Sequence, residues 1–348
     1  MEPTTQNNFV IHTGDALEVL KTLESESVNM CVTSPPYYGL RDYGVAGQVG
    51  LEETPEQYIE KLVNIFREVR RVMKDDGTLW VNIGDSYYTA GDCKLDNKQM
   101  KSGLVIPKRN NAIPNLKKKD LIGIPWMLAF ALRNDGWFLR SEIIWHKPAV
   151  MPESVKDRPT KSHEYIFLLS KSEKYYYDAD AISEPCQTSG KTRMGKSVER
   201  AEGSNRNDGG VIFIDGETRN RRSVWTIGPS NYKGAHFATF PPELPKICIQ
   251  AGTSKHGCCP DCFAVFNVDG QTCKCKLDEK QAVPCQVLDP FSGTGTTGVV
   301  AISLNCAYHG IEINPEYVAM SQQRLSDHLA KPENFFSQAS LDDLFEVA

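Results

Sequence analysis

Thr33-Ser34-Pro35-Pro36-Tyr37 places a hydroxyl, two consecutive prolines and an aromatic ring directly after an apolar run. Two prolines remove two backbone donors and hold the residues before them in extended conformations. The carbonyl oxygens there are left free to point at a ligand. An amino group conjugated to an aromatic ring is a poor nucleophile, because its lone pair is delocalised. Hydrogen bonds accepted by Ser34 Oγ and the Pro35 carbonyl would hold its N–H groups and favour a pyramidal nitrogen, after which reaction needs mainly positioning. Tyr37 offers a flat face on which a planar ring can stack. Taken alone, the stretch is equally compatible with a proline-stiffened turn beside a core tyrosine.

A second stretch, Gly293-Thr294-Gly295-Thr296-Thr297-Gly298, satisfies G-x-G-x-x-G, follows an apolar run and opens a helical pattern. Glycines in that context let a nucleotide-like ligand approach the backbone closely. Glu312 ends the next apolar run, where a carboxylate can accept from ribose hydroxyls. A nicotinamide dinucleotide site uses the same physics, so the glycines alone do not decide the ligand. Asp289-Pro290-Phe291 precedes them. An acid there would repel a pyrophosphate but suits an ammonium group. The turn also lies so close to the C-terminus that the units completing its sheet must come earlier in the chain.

A third group is Cys259-x-x-Cys262 followed by Cys273-x-Cys275. Two such knuckles can complete a tetrahedral, structural zinc site, with Cys258 and His256 as spare donors. The chain has eleven cysteines and no export signal, which argues against a disulfide framework. Cys285 follows Pro284 but sits just before the Asp289 run, so it is not read as a nucleophile.

The elements that must position these groups follow from periodicity. Strands are expected at 9–12, 28–33, 78–83, 139–145, 164–169, 286–289 and 307–313. Helices are expected at 16–23, 58–73, 125–134, 242–251, from 297, and at 315–329. Asp75-Asp76-Gly77 reads as the stop between the second helix and third strand. Residues 88–120 and 184–222 read as loops. Alternating strands and helices give an α/β fold with a mainly parallel twisted sheet and helices on both faces.

The net charge of −5 would by itself count against a nucleic-acid partner. The positive charge is concentrated, however. The first loop carries Lys94, Lys98, Lys101, Lys108, Arg109, Lys117, Lys118 and Lys119, and the second ends in Arg219-Asn220-Arg221-Arg222. Two basic loops beside the motifs above point to phosphate contacts. No stretch is long enough to span a bilayer and no signal-peptide pattern opens the chain, so a cytoplasmic location is expected.

Over most of its length the sequence resembles the bacterial and phage DNA amino-methyltransferases of the permuted arrangement called β, in which the catalytic motif precedes the cofactor motif. The resemblance implies a Rossmann-like, S-adenosylmethionine-dependent methyltransferase fold with circularly permuted motif order. Ser34, Pro35, Pro36 and Tyr37 match the catalytic motif, and 77–86 matches the strand beside it. Asp15, in His12-Thr13-Gly14-Asp15, looks like the residue that contacts the cofactor adenine. His236, Phe240 and Pro241 lie in a segment resembling the one that closes over the cofactor's amino-acid end. Thr33, Asp289, Pro290, Phe291, Gly293, Gly295, Thr296 and Glu312 complete the implied cofactor site, and 157–164 resembles a stretch near the base pocket.

The implied reaction transfers the methyl of S-adenosyl-L-methionine to the exocyclic amine of a base flipped out of double-stranded DNA. Serine in the first catalytic position is more similar to N4-cytosine than to N6-adenine enzymes. The competing readings are N6-adenine methylation, a zinc-stabilised DNA-binding protein that keeps the fold without catalysis, and methylation of RNA or a protein amide. The resemblance also suggests a homodimer and a cognate restriction endonuclease as companions, with no membrane. The expected layout is a catalytic half (1–183), a target-recognition region (184–225), a cofactor-closing segment (226–255), a zinc module (256–280, ligands Cys259, Cys262, Cys273 and Cys275), a cofactor-binding half (281–330) and an acidic tail (331–348).

Overall fold

The computed structural model describes residues 9–89, 113, 115–186, 218–228, 240–267, 273–275 and 282–330. Its strands are β1 (Phe9–Thr13), β2 (Val28–Thr33), β3 (Met73–Ile83), β4 (Phe138–His146), β5 (His163–Ser170), β6 (Glu184–Pro185), β7 (Thr218–Arg219), β8 (Val224–Thr226), β9 (Gln286–Asp289) and β10 (Ala307–Glu312). Its helices are α1 (Ala16–Thr22), α2 (Pro55–Val72), α3 (Ile124–Asn134), α4 (Glu243–Gly252), α5 (Thr296–Ser303) and α6 (Pro315–Leu329).

Among the described residues, eight strands form one sheet in the order β1-β10-β9-β2-β3-β5-β4-β8. Every neighbouring pair is parallel except the two made by β5, which runs against β3 and β4. Two apolar clusters cover the faces. On one, Tyr58, Leu62, Ile65, Phe66 and Val69 of α2 pack with Leu128 and Leu132 of α3. On the other, Leu244, Ile247 and Cys248 of α4 pack with Val299, Val300 and Ile302 of α5 and Leu325 of α6. Burying each large side chain contributes about 1.5–3 kcal/mol before the entropy of ordering is subtracted. The mainly parallel sheet with helices on both faces agrees with the sequence reading.

Local chemistry explains where the elements differ from that reading. The second helix starts at Pro55 rather than near residue 58. Thr54 and Gln57 form a reciprocal capping box and Pro55 occupies the first turn. β3 begins at Met73, so residues 75–77 are not a stop between elements. They form an irregularity within the strand, where the two-residue step from Val28 to Met30 faces the step from Met73 to Thr78. A Cβ on Gly77 would stand 2.8 Å from the Asn29 carbonyl oxygen, so only glycine allows this approach.

The ends of the first basic loop are pinned. Tyr88 N–H donates to the Asp120 carbonyl and Lys119 N–H to the Tyr88 carbonyl. Lys94, Lys98, Lys101, Lys108 and Arg109 lie outside the described residues, as do 187–217 of the second basic loop, His236 and the tail 331–348. The ends of the second loop are tied together, because β6 pairs antiparallel with β7 and Arg219 and Arg222 both donate to Glu184. Just beyond the loop, β8 joins the sheet beside β4 and buries Trp225. Among the described residues no helix is long and apolar enough to cross a membrane.

This topology creates one crevice. From β9 the chain crosses to β10 on one side, and from β2 it crosses to β3 on the other. β9 and β2 are therefore neighbours that diverge, the switch point where open α/β sheets bind ligands beyond the carboxyl ends of their strands.

Candidate active site

Six parallel strand ends and the start of the antiparallel β5 deliver polar groups to a single edge. In sheet order they are Asp15 after β1, Glu312 at the end of β10, Asp289 at the end of β9, Ser34 after β2, Asn82 near the end of β3, Glu164 at the start of β5 and Lys147 after β4. A cavity of about 390 Å³ runs along this edge and touches all seven. Its volume suits a small organic ligand.

At one end of the cavity the glycine turn is shaped by its own backbone. Gly293 has φ +52 and a Cβ there would meet nothing within 4 Å, so the open space lies on the cavity side. Gly295 has φ +80, and a Cβ would come within 2.3 Å of Ser321 Oγ, so this glycine is required by packing of the turn on α6. Glu312 Oε2 accepts from Gly293 N–H at 2.9 Å and Oε1 from Asn314 N–H at 2.8 Å. Burial pushes its carboxyl above the usual range. Thr294 lines the cavity with a buried Oγ1 that has no partner among the described residues. Asp15 lines it as well, while its Oδ1 caps α1 through Leu17 and Glu18 N–H.

Asp289 is 1 % exposed and joins the two halves of the crevice. Its Oδ1 accepts from Thr33 Oγ1 at 2.6 Å and from Phe291 N–H at 3.1 Å, and its Oδ2 accepts from Thr297 Oγ1 at 2.6 Å. Burial raises its pKa, and the Thr297 and Thr33 hydroxyls pull the other way. A carboxylate offers about four acceptor positions, so one remains at Oδ2. Thr33 immediately precedes Ser34, and this clasp fixes the proline-stiffened strand end against the glycine turn.

At the other end, Ser34, Pro35, Pro36, Tyr37, Trp145 and Phe240 line the cavity with Asn82, Glu164 and Lys147. Tyr37 O–H donates to Glu164 Oε2 at 2.5 Å. Burial, then the Glu164 charge, hold its phenol well above the usual range. Its ring packs so closely on Gly84 that a Cβ there would lie 2.6 Å from Tyr37 Cε2. Asn82 Nδ2 lies 2.9 Å from Tyr37 OH, 3.2 Å from Glu164 Oε2 and 3.3 Å from Ser34 Oγ. Lys147 pairs with Glu164 and sits 4.3 Å above the centre of the Trp145 ring.

The crevice thus gathers the sequence-predicted Asp15, Ser34, Pro35, Pro36, Tyr37, Phe240, Asp289, Pro290, Phe291, Gly293, Thr296 and Glu312 along one cavity. Thr33 reaches it through Asp289. Gly295 and Pro241 stand behind the lining, Pro241 buried with its carbonyl accepting from Leu244 N–H. Asn82, Trp145 and Lys147 were not singled out by sequence, and neither was Glu164 as an individual group. The residues 77–86 and 157–164 carried a partial signal for two of them. Lys147 carried none, being one lysine after an apolar strand.

The four predicted thiols also meet. The Sγ atoms of Cys259, Cys262, Cys273 and Cys275 all lie within 4.8 Å of one another. Phe263, at φ +55, turns the first knuckle, and its N–H donates to the Cys259 carbonyl. The knuckle leans on the catalytic strand, because Asn29 of β2 donates to the Phe263 carbonyl at 2.6 Å and accepts from Gln286 N–H of β9. Cys258 instead lies buried beside Cys285, and its hydrogen bond with that thiol, then burial, raise its pKa.

Residues 28–281 and 286–323 match the N6/N4 methyltransferase family model, described as DNA methylase. The chain is 45% identical over 312 residues to a Type II methyltransferase, M.SmaI of Serratia marcescens, covering 90% of this chain and 89% of that protein. It is 45% identical over 326 residues to M.Cfr9I of Citrobacter freundii, covering 93% and 90%. Among solved structures it matches the PvuII DNA methyltransferase, described as cytosine-N4-specific, with a TM-score of 0.57 at 19% identity, covering 96% of this chain and 95% of that one.

Proposed function

The chain belongs to the N6/N4 DNA methylase family, and on that premise we propose that it moves the methyl group of S-adenosylmethionine to N4 of a cytosine flipped out of duplex DNA. That it is a DNA methyltransferase follows from the family. The donor, the base and the residue roles are proposed. The observation that carries it is the Thr33–Asp289 clasp, which fixes a stiffened amine-holding strand end and a glycine turn along one cavity.

The residues present fit such a donor. Gly293 leaves space where a side chain would intrude, and the neighbouring Thr294, which lines the cavity, has a buried Oγ1 with no partner among the described residues. Asp15 and Glu312 are acceptors for the adenosine part, Glu312 for its ribose hydroxyls. Asp289 offers negative charge to the ammonium through its remaining Oδ2 position. Bound there, the donor would supply an electrophilic methyl group. Ser34 Oγ and the Pro35 carbonyl hold the amine, Tyr37 stacks on the base, and Phe240 and Trp145 exclude water. This accounts for catalysis by positioning, with no covalent step on the protein.

Two features favour cytosine over adenine. Ser34 is the type of residue that more often accompanies N4-cytosine methylation. Lys147 places an ammonium in the same cavity, with one N–H engaged by Glu164 and no other hydrogen bond among the described residues. Cytosine carries a keto oxygen next to its ring nitrogen that a cation can hold, whereas adenine has a C–H there. Mass spectrometry of nucleosides from DNA treated with the protein and S-adenosylmethionine should show N4-methylcytosine. N6-methyladenine alone would overturn the choice of base.

The basic segments 88–120 and 184–225 are the proposed DNA contacts, the latter as the target-recognition region. Cys259, Cys262, Cys273 and Cys275 are proposed to hold a structural zinc ion. A tetrahedral ion with bonds of about 2.3 Å keeps its sulfurs about 3.8 Å apart, which their clustering within 4.8 Å permits. Elemental analysis should find about one zinc per chain, and Cys259→Ser should lose it. Because Asn29 ties the knuckle to β2, losing the ion should also lower the unfolding temperature by roughly 5 °C or more. A metal-free chain with unchanged unfolding temperature would refute the site.

A further inference from the structure

Asn82 is the most buried polar side chain at the amine end of the cavity, at 2 % exposure. Its Oδ1 is buried and has no hydrogen-bond partner, although the residue lines the cavity. The orientation of its amide is not free. Glu164 Oε2 lies 3.2 Å from Nδ2. Glu164 accepts on both oxygens, from Tyr37 O–H at Oε2 and from Lys147 at Oε1, so turning the amide over would set its oxygen against one that is already accepting. Tyr37 OH takes a second contact from Nδ2 at 2.9 Å. The amide nitrogen is held by the network, and the oxygen, on a residue that lines the cavity, is left without a partner among the described residues. Leaving a buried acceptor unmet is costly, and among the described residues no group meets this one, so a ligand donor would be stabilised there.

The neighbouring acceptors say which donor. Ser34 Oγ is 3.3 Å from Asn82 Nδ2, and β2 and β3 are adjacent strands with Thr33 opposite Val81. Asn82 Oδ1 therefore stands beside the pair of acceptors already assigned to an N–H2 group. We propose that Asn82 is a catalytic residue that accepts a hydrogen bond from the target amine through Oδ1, with Glu164 and Lys147 as positioning residues that lock its amide. This rests on the base-amine reading above and adds a third acceptor to it. An amine has two N–H bonds, so three acceptors let it stay held as its nitrogen pyramidalises and turns its lone pair towards the methyl group. As the N–CH3 bond forms, the methyl–sulfur bond breaks and leaves a neutral thioether, and the cationic nitrogen then gives one proton to water; Asn82 takes no proton and orients the nitrogen that attacks.

The test uses duplexes carrying the recognition site, with either the natural target base or the same base whose exocyclic amine is replaced by hydrogen. The wild-type protein should bind the natural duplex more tightly by roughly 10-fold or more. Asn82→Leu should remove most of that preference and slow single-turnover methylation by about 100-fold, while S-adenosylmethionine affinity stays within about two-fold. Glu164→Gln, which leaves Asn82 in place but lets its amide turn over, should cut the preference to an intermediate value. A purely structural asparagine would change folding or rate but not discrimination. Unchanged preference in Asn82→Leu overturns the proposal. If that variant does not fold, unchanged preference in Glu164→Gln overturns it instead. A wild-type protein that forms no methylated amine would overturn the underlying reading together with this one, so the two failures are distinguishable.

Discussion

Replacing Asp289 by alanine should abolish measurable methylation, weaken S-adenosylmethionine binding by at least ~100-fold and lower unfolding free energy by about 3 kcal/mol. Three donors, Thr33 Oγ1, Thr297 Oγ1 and Phe291 N–H, would lose their acceptor inside the sheet. The clasp between the glycine turn and the catalytic strand would open. Asp289→Asn separates this clasp from the charge. Its amide oxygen can still accept from Thr33 and Phe291, and Thr297 can accept from its amide nitrogen. The asparagine variant should therefore fold at least as well as the wild type but bind the cationic donor about 10-fold more weakly.

The sign of the pH dependence follows from burial. Asp289 has a folded pKa above its unfolded value, so the folded chain binds more protons in that window. Wild-type stability must therefore fall as pH rises from the unfolded to the folded pKa. The stability advantage of Asp289→Asn should grow over the same window and level off above it. Calorimetric unfolding of both proteins across pH, with isothermal titration of the cofactor, checks every part. An alanine variant that binds S-adenosylmethionine normally would remove Asp289 from the site.

The second large effect is at Tyr37. Tyr37→Ala should reduce the single-turnover rate by 100-fold or more. Aromatic stacking on a base is worth about 1–3 kcal/mol, and the loss also frees Glu164 and Asn82 from the phenol that links them. Tyr37→Phe keeps the ring and loses only the hydroxyl, so about a 10-fold reduction is expected. Gly84→Ala should resemble the alanine variant without touching Tyr37 itself, because its Cβ would push the ring from its seat. Rapid-quench measurement under single turnover distinguishes these. A Tyr37→Ala protein with unaltered rate would mean that no planar base is held against this ring.

Most of the fold and part of the site were legible in the sequence, for physical reasons that differ by residue. Ser34 to Tyr37 and Asp289 to Gly298 are contiguous, and their chemistry is local: prolines stiffen a strand end and glycines admit a ligand. Their joining was implied by resemblance, but its physical form was not. The hydrogen bond from Thr33 to Asp289 spans 256 residues and exists only because β2 and β9 pair. Asn82, Glu164 and Lys147 come from three further elements, and no spacing in the chain marks their convergence. The direction of β5 was equally hidden, since an apolar run reads the same both ways. Its reversal matters, because it brings Glu164 at a strand's start to the edge where the other strands end.

Two signals were present and misweighted. Thr54-Pro55-Glu56-Gln57 spells a capping box with an early proline, which starts α2 three residues before the apolar periodicity does. Asp75-Asp76-Gly77 has turn composition but is held within β3, where Lys171 pairs with Asp75 at 3.0 Å. The basic run ending in Arg222 holds a pairing that composition does not show: Arg219 and Arg222 both pair with Glu184, a partner 35 and 38 residues away. Charge counted along a chain does not reveal which charges the fold pairs.

The central claim is transfer of a methyl group to a base amine, with cytosine N4 as the target. The most direct test is to incubate unmethylated DNA with the protein and S-adenosylmethionine carrying a deuterated methyl group, then digest it and weigh the nucleosides. Labelled N4-methylcytosine is expected, formed by the wild type and reduced to background by Asp289→Ala. Label on a ring carbon, or on no nucleoside at all, would contradict it.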